Sequence, residues 1–450
     1  MILPDPYPVQ PWQAPCSGRI RPPGSKSLTN RALVLGALAE GPVRLQGALF
    51  SRDSRLLADA LRQLGFRIEE AEADGEIRIG GRGGDIPVAE ASLQVGNAGT
   101  AARFLTALVC LRPGGCYHFD GDEEMYRRPM EGLFRALADL GARFTFHGEP
   151  GKFPFTVATG GLKPGRWQVD ARASSQMLSA LLMVAPFAGG EVSLRCDPVR
   201  PAFVEMTQRL MGLFGAAVTG SPGEGFLVQP SSLRGPGDGL YRVEADATAA
   251  SYFLALPFLT GGELFIEGIG TASLQGDLAF AGVMEQCGLR VESAEDGWRI
   301  QYLTTQDDVR EHVFDFASFS DTFLTFAAVA PYLPFPVRIR GVGHTRFQEC
   351  DRVDAAAAAL RAMGARVRVD GDDVCIGGFT AFPEAGCLVE TRRDHRVAMS
   401  FALAGCRDRR GDGRPWLRVR DPVCAGKTFP SFFAELEKLY RKSHDKYDRQ

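Results

Sequence analysis

The sequence predicts a mixed α/β (α+β) protein assembled from six copies of one unit, in two lobes of three. Three observations carry that expectation. An amphipathic helix, a glycine and a strand recur as LADALRQLGFRIEE, LFRALADLGARFTFHG, MTQRLMGLFGAAVTGS, FAGVMEQCGLRVESAEDG and AAAAALRAMGARVRVDGDD. Their glycines, Gly65, Gly141, Gly215, Gly288 and Gly364, stand 76, 74, 73 and 76 residues apart, so six units of about 75 residues account for all 450 positions. Between these copies lie helix candidates apolar on most sides, at 98–109, 174–184, 248–256, 322–329 and 396–404. Helices of that kind belong inside a core, with the amphipathic ones outside.

The first copy opens on RPPGSKSLTNR, residues 21–31. Pro22-Pro23-Gly24 interrupts regular structure, and Ser25 or Ser27 can cap the apolar run 32–39 that follows. Lys26 and Arg31 then sit near a helix N-terminus, where the dipole disfavours cations. Two readings are open: an ordinary cap beside solvated cations, or a loop that holds a phosphate or carboxylate. A nucleotide P-loop is excluded, because GSKS lacks the upstream glycine of GxxxxGK[ST]. In each later copy the helix reads at a period of 3.6, and its glycine is the expected C′ stop before a strand. A sixth copy has its helix in FFAELEKLY, but the sequence has no strand after it.

Polar residues stand where the apolar helices begin. Gly96-Asn-Ala-Gly-Thr100 opens one, Ser174-Ser175-Gln176 another, Asp321-Thr322 a third and Asp394-His395-Arg396 a fourth. Each is an ordinary helix cap on one reading; on the other, these ends face one another across a cleft, and their oriented N–H groups and polar side chains make it an anion site. Further cations occur at Arg127-Arg128, Arg346, Arg352, Arg392-Arg393 and Lys427, and Arg407–Arg410 reads as a solvated run. Asp321, Glu349, Asp351 and Asp394 are the candidate acids and bases, and spacing does not choose among them.

Composition narrows the function. A net charge of -3 gives no general attraction to nucleic acid or anionic membrane. No run of 18 apolar residues is present, and the start MILPDPYPVQPWQAP lacks the basic and apolar segments of a signal peptide. Ten cysteines without CxxC pairs and six scattered histidines suggest reduced thiols, a cytoplasmic location and no metal site.

The motifs SKSLTNR, GNAGTAARFL, DGDEEMYRRPM, SSQM, DATAASYF, SDT, QECDR, DHRVAM and GKTFPSFF occur in the order found in the EPSP synthases (3-phosphoshikimate 1-carboxyvinyltransferases), over about residues 21–433. The sequence closely resembles that family. The resemblance implies a two-lobed inside-out α/β barrel of six βαβαββ units, with residues 25–244 in one lobe and 1–24 plus 245–450 in the other. It places a hinge at RPPGSKS and around Glu244. It implies transfer of the carboxyvinyl group of phosphoenolpyruvate to a hydroxyl of 3-phosphoshikimate, releasing phosphate, by a monomer with no metal or organic cofactor.

The family's motifs assign roles residue by residue. Lys26, Ser27 and Arg31 would hold phosphoshikimate, and Ser174 and Ser175 its phosphate. Gly99, with Asn97 beside it, would admit the phosphoenolpyruvate phosphate. Arg128, Gln176, Arg352, Arg396 and Lys427 would hold that substrate's charges. Asp321 would take the hydroxyl proton, and Glu349 with Lys26 would handle the methylene proton. The sequence departs from the common family pattern N-x-R-x-K-E-[ST]-D-R, with His344 replacing Asn and Gln348 replacing Lys. Both positions belong to the phosphoshikimate side, where Gln348 is expected to donate from its amide and His344 to restore part of the lost charge. Other readings are an enolpyruvyl transferase with a different alcohol acceptor, or a ligand-binding paralogue without catalysis.

Overall fold

The computed structural model describes residues 3–304 and 309–448. The chain divides into two compact units, Gly24–Glu244 and Met1–Pro23 with Ala245–Gln450. It therefore passes between units at Pro23/Gly24 and again at Glu244/Ala245.

The contiguous unit holds α1 (Lys26–Leu38), α2 (Arg52–Gln63), α3 (Gly99–Val109), the single turn α4 (Glu123–Tyr126), α5 (Glu131–Asp139), α6 (Ser175–Val184) and α7 (Ala202–Leu213). The second holds α8 (Ala247–Thr260), α9 (Phe280–Gln286), α10 (Phe323–Val329), α11 (Arg352–Ala362), α12 (His395–Cys406) and α13 (Phe432–Tyr447). Helices α1, α3 and α6 pack together at the centre of one unit, and α8, α10 and α12 at the centre of the other. Each is buried along nearly its whole length, as their apolar circumference requires. A ladder of hydroxyls fixes their relative level in the second unit: Ser251 meets Thr325 at 3.0 Å and Thr325 meets Ser400 at 3.4 Å. All three residues lie in the first half of their helices, so the helices run parallel with their N-termini at one end.

Sheets surround these helices. Glu90–Gln94 pairs in parallel with Pro113–Asp120, then antiparallel Phe155–Gly160 and Arg143–Phe146 complete the sheet. The parallel pair needs a crossover, which α3 provides; α5 joins the second strand to the third. This βαβαββ order repeats in the sheets led by Gly165–Val169 and by His312–Asp315. The five glycines that end the outer helices have φ of 91, 103, 88, 96 and 82° at Gly65, Gly141, Gly215, Gly288 and Gly364. The chain closes behind them in the same way, with Phe66 N donating to Leu61 O at 3.0 Å and Ala216 N to Met211 O at 2.9 Å. A side chain is strained at such a φ, which explains the recurrence of glycine.

The sequence pattern did not reveal how strands are shared. Cys16–Ile20 precedes the first copy but pairs with Gly262–Glu267, after α8. Leu240–Arg242 precedes the fourth copy but pairs with Glu40–Gln46, after α1. The first and fourth copies thus exchange their leading strands. The sixth sheet joins Cys387–Val389 to Leu417–Val419, and its missing antiparallel strand is Tyr7–Pro8. Helix α1 begins at Lys26, and of the two expected caps it is Ser25 that caps it. Another helix start differs from expectation. Asp321 and Thr322 lie in a 3-10 turn, Ser320–Thr322, ahead of α10. Among the described residues no helix is long and apolar enough to cross a membrane.

Candidate active site

In the contiguous unit, the N-terminal turns of α1, α3 and α6 are joined by two arginines. Arg31 on α1 donates to Thr207 Oγ1 at 2.7 Å, to Ser179 Oγ of α6 at 3.5 Å, and to the carbonyls of Ser27 and Phe203, each at 3.1 Å. Its guanidinium lies 5.3 Å from the Phe104 ring centroid of α3. Among the described residues it has no carboxylate partner, and burial pushes it down to about 9. Arg103 on α3 donates to Gly99 O at 3.0 Å, Gln176 Oε1 at 2.9 Å and Pro129 O at 2.7 Å. It orients Gln176 beside the start of α3. Arg128 donates to Asn97 through the backbone carbonyl at 3.2 Å and the side-chain carbonyl at 3.3 Å.

Lys26, the first residue of α1, is not simply strained against the helix dipole. Asp53, in the first turn of α2, stands 3.6 Å from its Nζ. Ser174 caps α6 by accepting from Gln176 N at 3.4 Å. Gly99, first residue of α3, is buried, and a Cβ built there would lie 2.6 Å from Arg128 Cζ and 2.7 Å from Arg103 Nη1. The obstacle to a side chain at Gly99 is therefore the two guanidinium groups, in addition to any anion bound there.

In the second unit, Arg352 is the hub. Fully buried at the start of α11, it donates to Asp394 at 2.7 and 3.3 Å, to Asp321 at 3.1 Å and to Glu349 at 2.9 Å. Burial works against its charge, but Asp394, Glu349 and Asp321 outweigh that and hold it ionised well above the ordinary arginine value. Asp321 also pairs with Arg396 at 2.8 Å, and Glu349 with Lys427 at 2.9 Å. The two carboxylates thus sit on opposite arms of one guanidinium, each closed by its own second cation.

Several sequence candidates have other work here. Asp394 is wholly buried, caps α12 through Arg396 N at 2.8 Å and anchors Arg352, which fits a structural anion and not an acid or base. Asp351 caps α11 through Asp354 N at 2.9 Å and pairs with Arg346 at 2.8 Å. Arg346 also pairs with Asp372 at 2.9 Å, Arg392 pairs with Asp354 at 2.7 Å, and Arg127 is exposed. His344 Nε2 meets Ser320 Oγ at 2.8 Å, next to Asp321. Gln348 presents its amide oxygen to Arg352, so the expected donor group is left to its nitrogen. Asp53 and Arg103 escaped the sequence reading. Arg103 left a trace, as the one cation inside the apolar stretch GTAARFLTALV. Asp53 left none, because an acid in a first helical turn is ordinary.

Residues 12–436 match the family model for EPSP synthase (3-phosphoshikimate 1-carboxyvinyltransferase). The chain belongs to the EPSP synthase family. A 3-phosphoshikimate 1-carboxyvinyltransferase of Opitutus terrae is 44% identical over 98% of this chain and 99% of its own length. One from Trichormus variabilis is 38% identical over 94% and 97%. Among solved structures, EPSP synthase of Acinetobacter baumannii matches with a TM-score of 0.77 at 25% identity, over 96% of this chain and 97% of that one. The enolpyruvyl transferase NikO from Streptomyces tendae, at 19% identity and TM-score 0.72, covers 96% of each chain and shares the fold. Buried helices inside and sheets outside are the inside-out α/β architecture of the EPSP synthases.

Proposed function

We infer that the chain transfers the enolpyruvyl group of phosphoenolpyruvate to the 5-hydroxyl of 3-phosphoshikimate, releasing phosphate, in the shikimate pathway. The chemistry asks for two opposed proton transfers. The hydroxyl must lose a proton as its oxygen bonds to C2 of phosphoenolpyruvate, while C3 gains one. The resulting tetrahedral species then returns the C3 proton as the C2–O bond to phosphate breaks. Acid and base must not neutralise each other between steps. The observation that carries the reading is the placement of Asp321 and Glu349 on separate arms of Arg352. Arg352 and Arg396 favour the ionised form of Asp321, the form that accepts the hydroxyl proton. Glu349, paired with Lys427, serves the methylene proton together with Lys26.

Binding roles divide by unit. Arg31, Lys26 and Ser27 hold phosphoshikimate, and Arg31's lack of a carboxylate partner among the described residues supports this, since a substrate anion supplies the counter-charge its burial leaves wanting. Ser174 and Ser175 take the 3-phosphate at the start of α6. Gly99, Asn97, Arg128 and Gln176 receive phosphoenolpyruvate at the start of α3, and Arg352, Arg396 and Lys427 complete its charge balance. His344 and Gln348 lie on the acceptor side. The ten cysteines are all free thiols, which supports a cytoplasmic setting.

Phosphate release from phosphoenolpyruvate and 3-phosphoshikimate tests the reading directly. Asp321→Asn and Glu349→Gln should each lower kcat by about 10²–10⁴-fold with substrate binding retained. Phosphate release with some other phosphorylated alcohol, and none with 3-phosphoshikimate, would refute the acceptor.

A further inference from the structure

One buried carboxyl beside the proposed base has no part in the chemistry above. Asp277 lies in the turn Gly276–Ala279 ahead of α9, which packs against both α8 and the turn Ser320–Thr322 that carries Asp321. It is 6% exposed, and its Oδ1 is buried with no hydrogen-bond partner among the described residues. The hydroxyl of Thr248, on the first turn of α8, bonds to the carboxyl. The turn is fixed by its neighbour Gln275, whose amide accepts from Ala247 N at 3.0 Å and donates to Ala245 O at 2.8 Å. The charged groups facing Asp277 are Asp321, from the turn before α10, Asp246, the cap of α8, and Arg396, from α12. An ionised carboxylate in such a place needs two or three donors. Thr248 offers one. Two further carboxylates nearby raise the cost of ionisation, and one shared arginine offsets only part of it.

We propose that Asp277 is a positioning residue for the acceptor base, acting through Asp321 and Arg396, and that it serves the reaction only in its neutral form. A neutral Asp277 leaves Arg396 paired with Asp321, at 2.8 Å, and available to an anionic substrate. A charged Asp277 competes for Arg396 and adds a third negative charge where substrate anions must approach. Burial first, then Asp321 and Asp246, push Asp277 up to about 8 against the pull of Arg396, which sets the pH range of the effect. The inference rests on Asp321 acting as the hydroxyl's base.

The sign follows from linkage. The native protein keeps the Asp277 proton up to about pH 8, whereas an unfolded aspartate releases it near pH 4. Native stability therefore falls as pH rises from about 4 to about 8 and levels off beyond. Asp277→Asn keeps shape and neutrality without titrating. We expect its turnover at pH 7 within about threefold of wild type, and the alkaline midpoint of kcat/KM moved upward by about one pH unit or more. Its Tm should gain on wild type progressively between pH 5 and 8. Identical alkaline limbs, or an equal loss of activity at every pH, would overturn the inference. If the Asn variant does not fold, infrared titration of the wild type decides: a carboxylic-acid carbonyl band must persist at neutral pH and vanish near pH 8, and its absence overturns the inference. Asp321→Asn assayed alongside separates the two levels. Normal turnover there refutes the role of Asp321, whereas an inactive Asp321→Asn beside an unshifted Asp277→Asn refutes the inference alone.

Discussion

Gly99→Ala offers a selective perturbation of one substrate. The new methyl would stand 2.6 Å from Arg128 Cζ and 2.7 Å from Arg128 Nη1, so that guanidinium must retreat by most of an ångström to reach ordinary contact. The backbone is no obstacle, since Gly99 is the first residue of α3 and has no positive φ. Arg128 donates to Asn97 at 3.2 and 3.3 Å, and those bonds are disturbed when it moves. Its cost is then one misaligned charge-assisted hydrogen bond to the phosphoenolpyruvate phosphate, about 1.5–3 kcal/mol, or roughly 10- to 150-fold in affinity. Steady-state kinetics at saturating 3-phosphoshikimate should show the KM for phosphoenolpyruvate raised by that factor. Calorimetric affinity for 3-phosphoshikimate alone should change by less than about threefold, because Arg31, Ser174 and Ser175 are undisturbed. Phosphonate analogues of phosphoenolpyruvate should weaken at least as much. Loss of 3-phosphoshikimate binding with an unchanged KM for phosphoenolpyruvate would refute the assignment of α3.

Arg31→Met removes a buried charge that lacks a carboxylate partner among the described residues; the unliganded Tm is expected to hold or rise, while 3-phosphoshikimate affinity falls at least about 100-fold by calorimetry. Asp394→Asn leaves Arg352 buried with one fewer carboxylate and weakens the cap of α12, so the urea midpoint should drop by the equivalent of about 3 kcal/mol. Gln348→Lys takes the amide acceptor from Arg352, which keeps Asp321, Glu349 and Asp394; turnover is expected within about tenfold of wild type, one hydrogen bond's worth.

The repeat was legible because its physics is local. A glycine must follow each outer helix to adopt positive φ, and a helix apolar all round has nowhere to go but the centre, so Gly65 and Ala98–Val109 announced themselves. The leading strands were not legible. Cys16–Ile20 and Leu240–Arg242 are both short strands of mixed polarity, and nothing local states which of two equivalent edges each will join. Motifs proposed the site's residues, but did not show which of the cations already have carboxylate partners. Asp394 and Asp321 read alike in sequence, both acids at the start of an apolar helix. Burial separates them, since one is sealed under Arg352 and the other keeps an open edge. Asp277 shows the same limit from the other side, because an unremarkable acid in QGDL gains its character only from Asp321 and Asp246, which the fold brings to it from elsewhere in the chain.

The exchanged leading strands bear on how the chain emerges from the ribosome. Residues 24–244 include every strand of their own three sheets, Leu240–Arg242 arriving last to close the first of them. That unit can be complete before the rest is made. The N-terminal segment has no such early partner. Tyr7–Pro8 must wait for Leu417–Val419, and Cys16–Ile20 for Gly262–Glu267 and for α13, where Ser443 Oγ accepts from Ser17 N at 2.9 Å. The segment ahead of residue 24 is thus placed only after strands far downstream of it are made. Until then the segment presents a short strand with open edges, of the kind that pairs with the wrong neighbour. A nascent chain stalled near residue 244 should accordingly carry one protease-resistant body and a leading tail that remains open to cleavage.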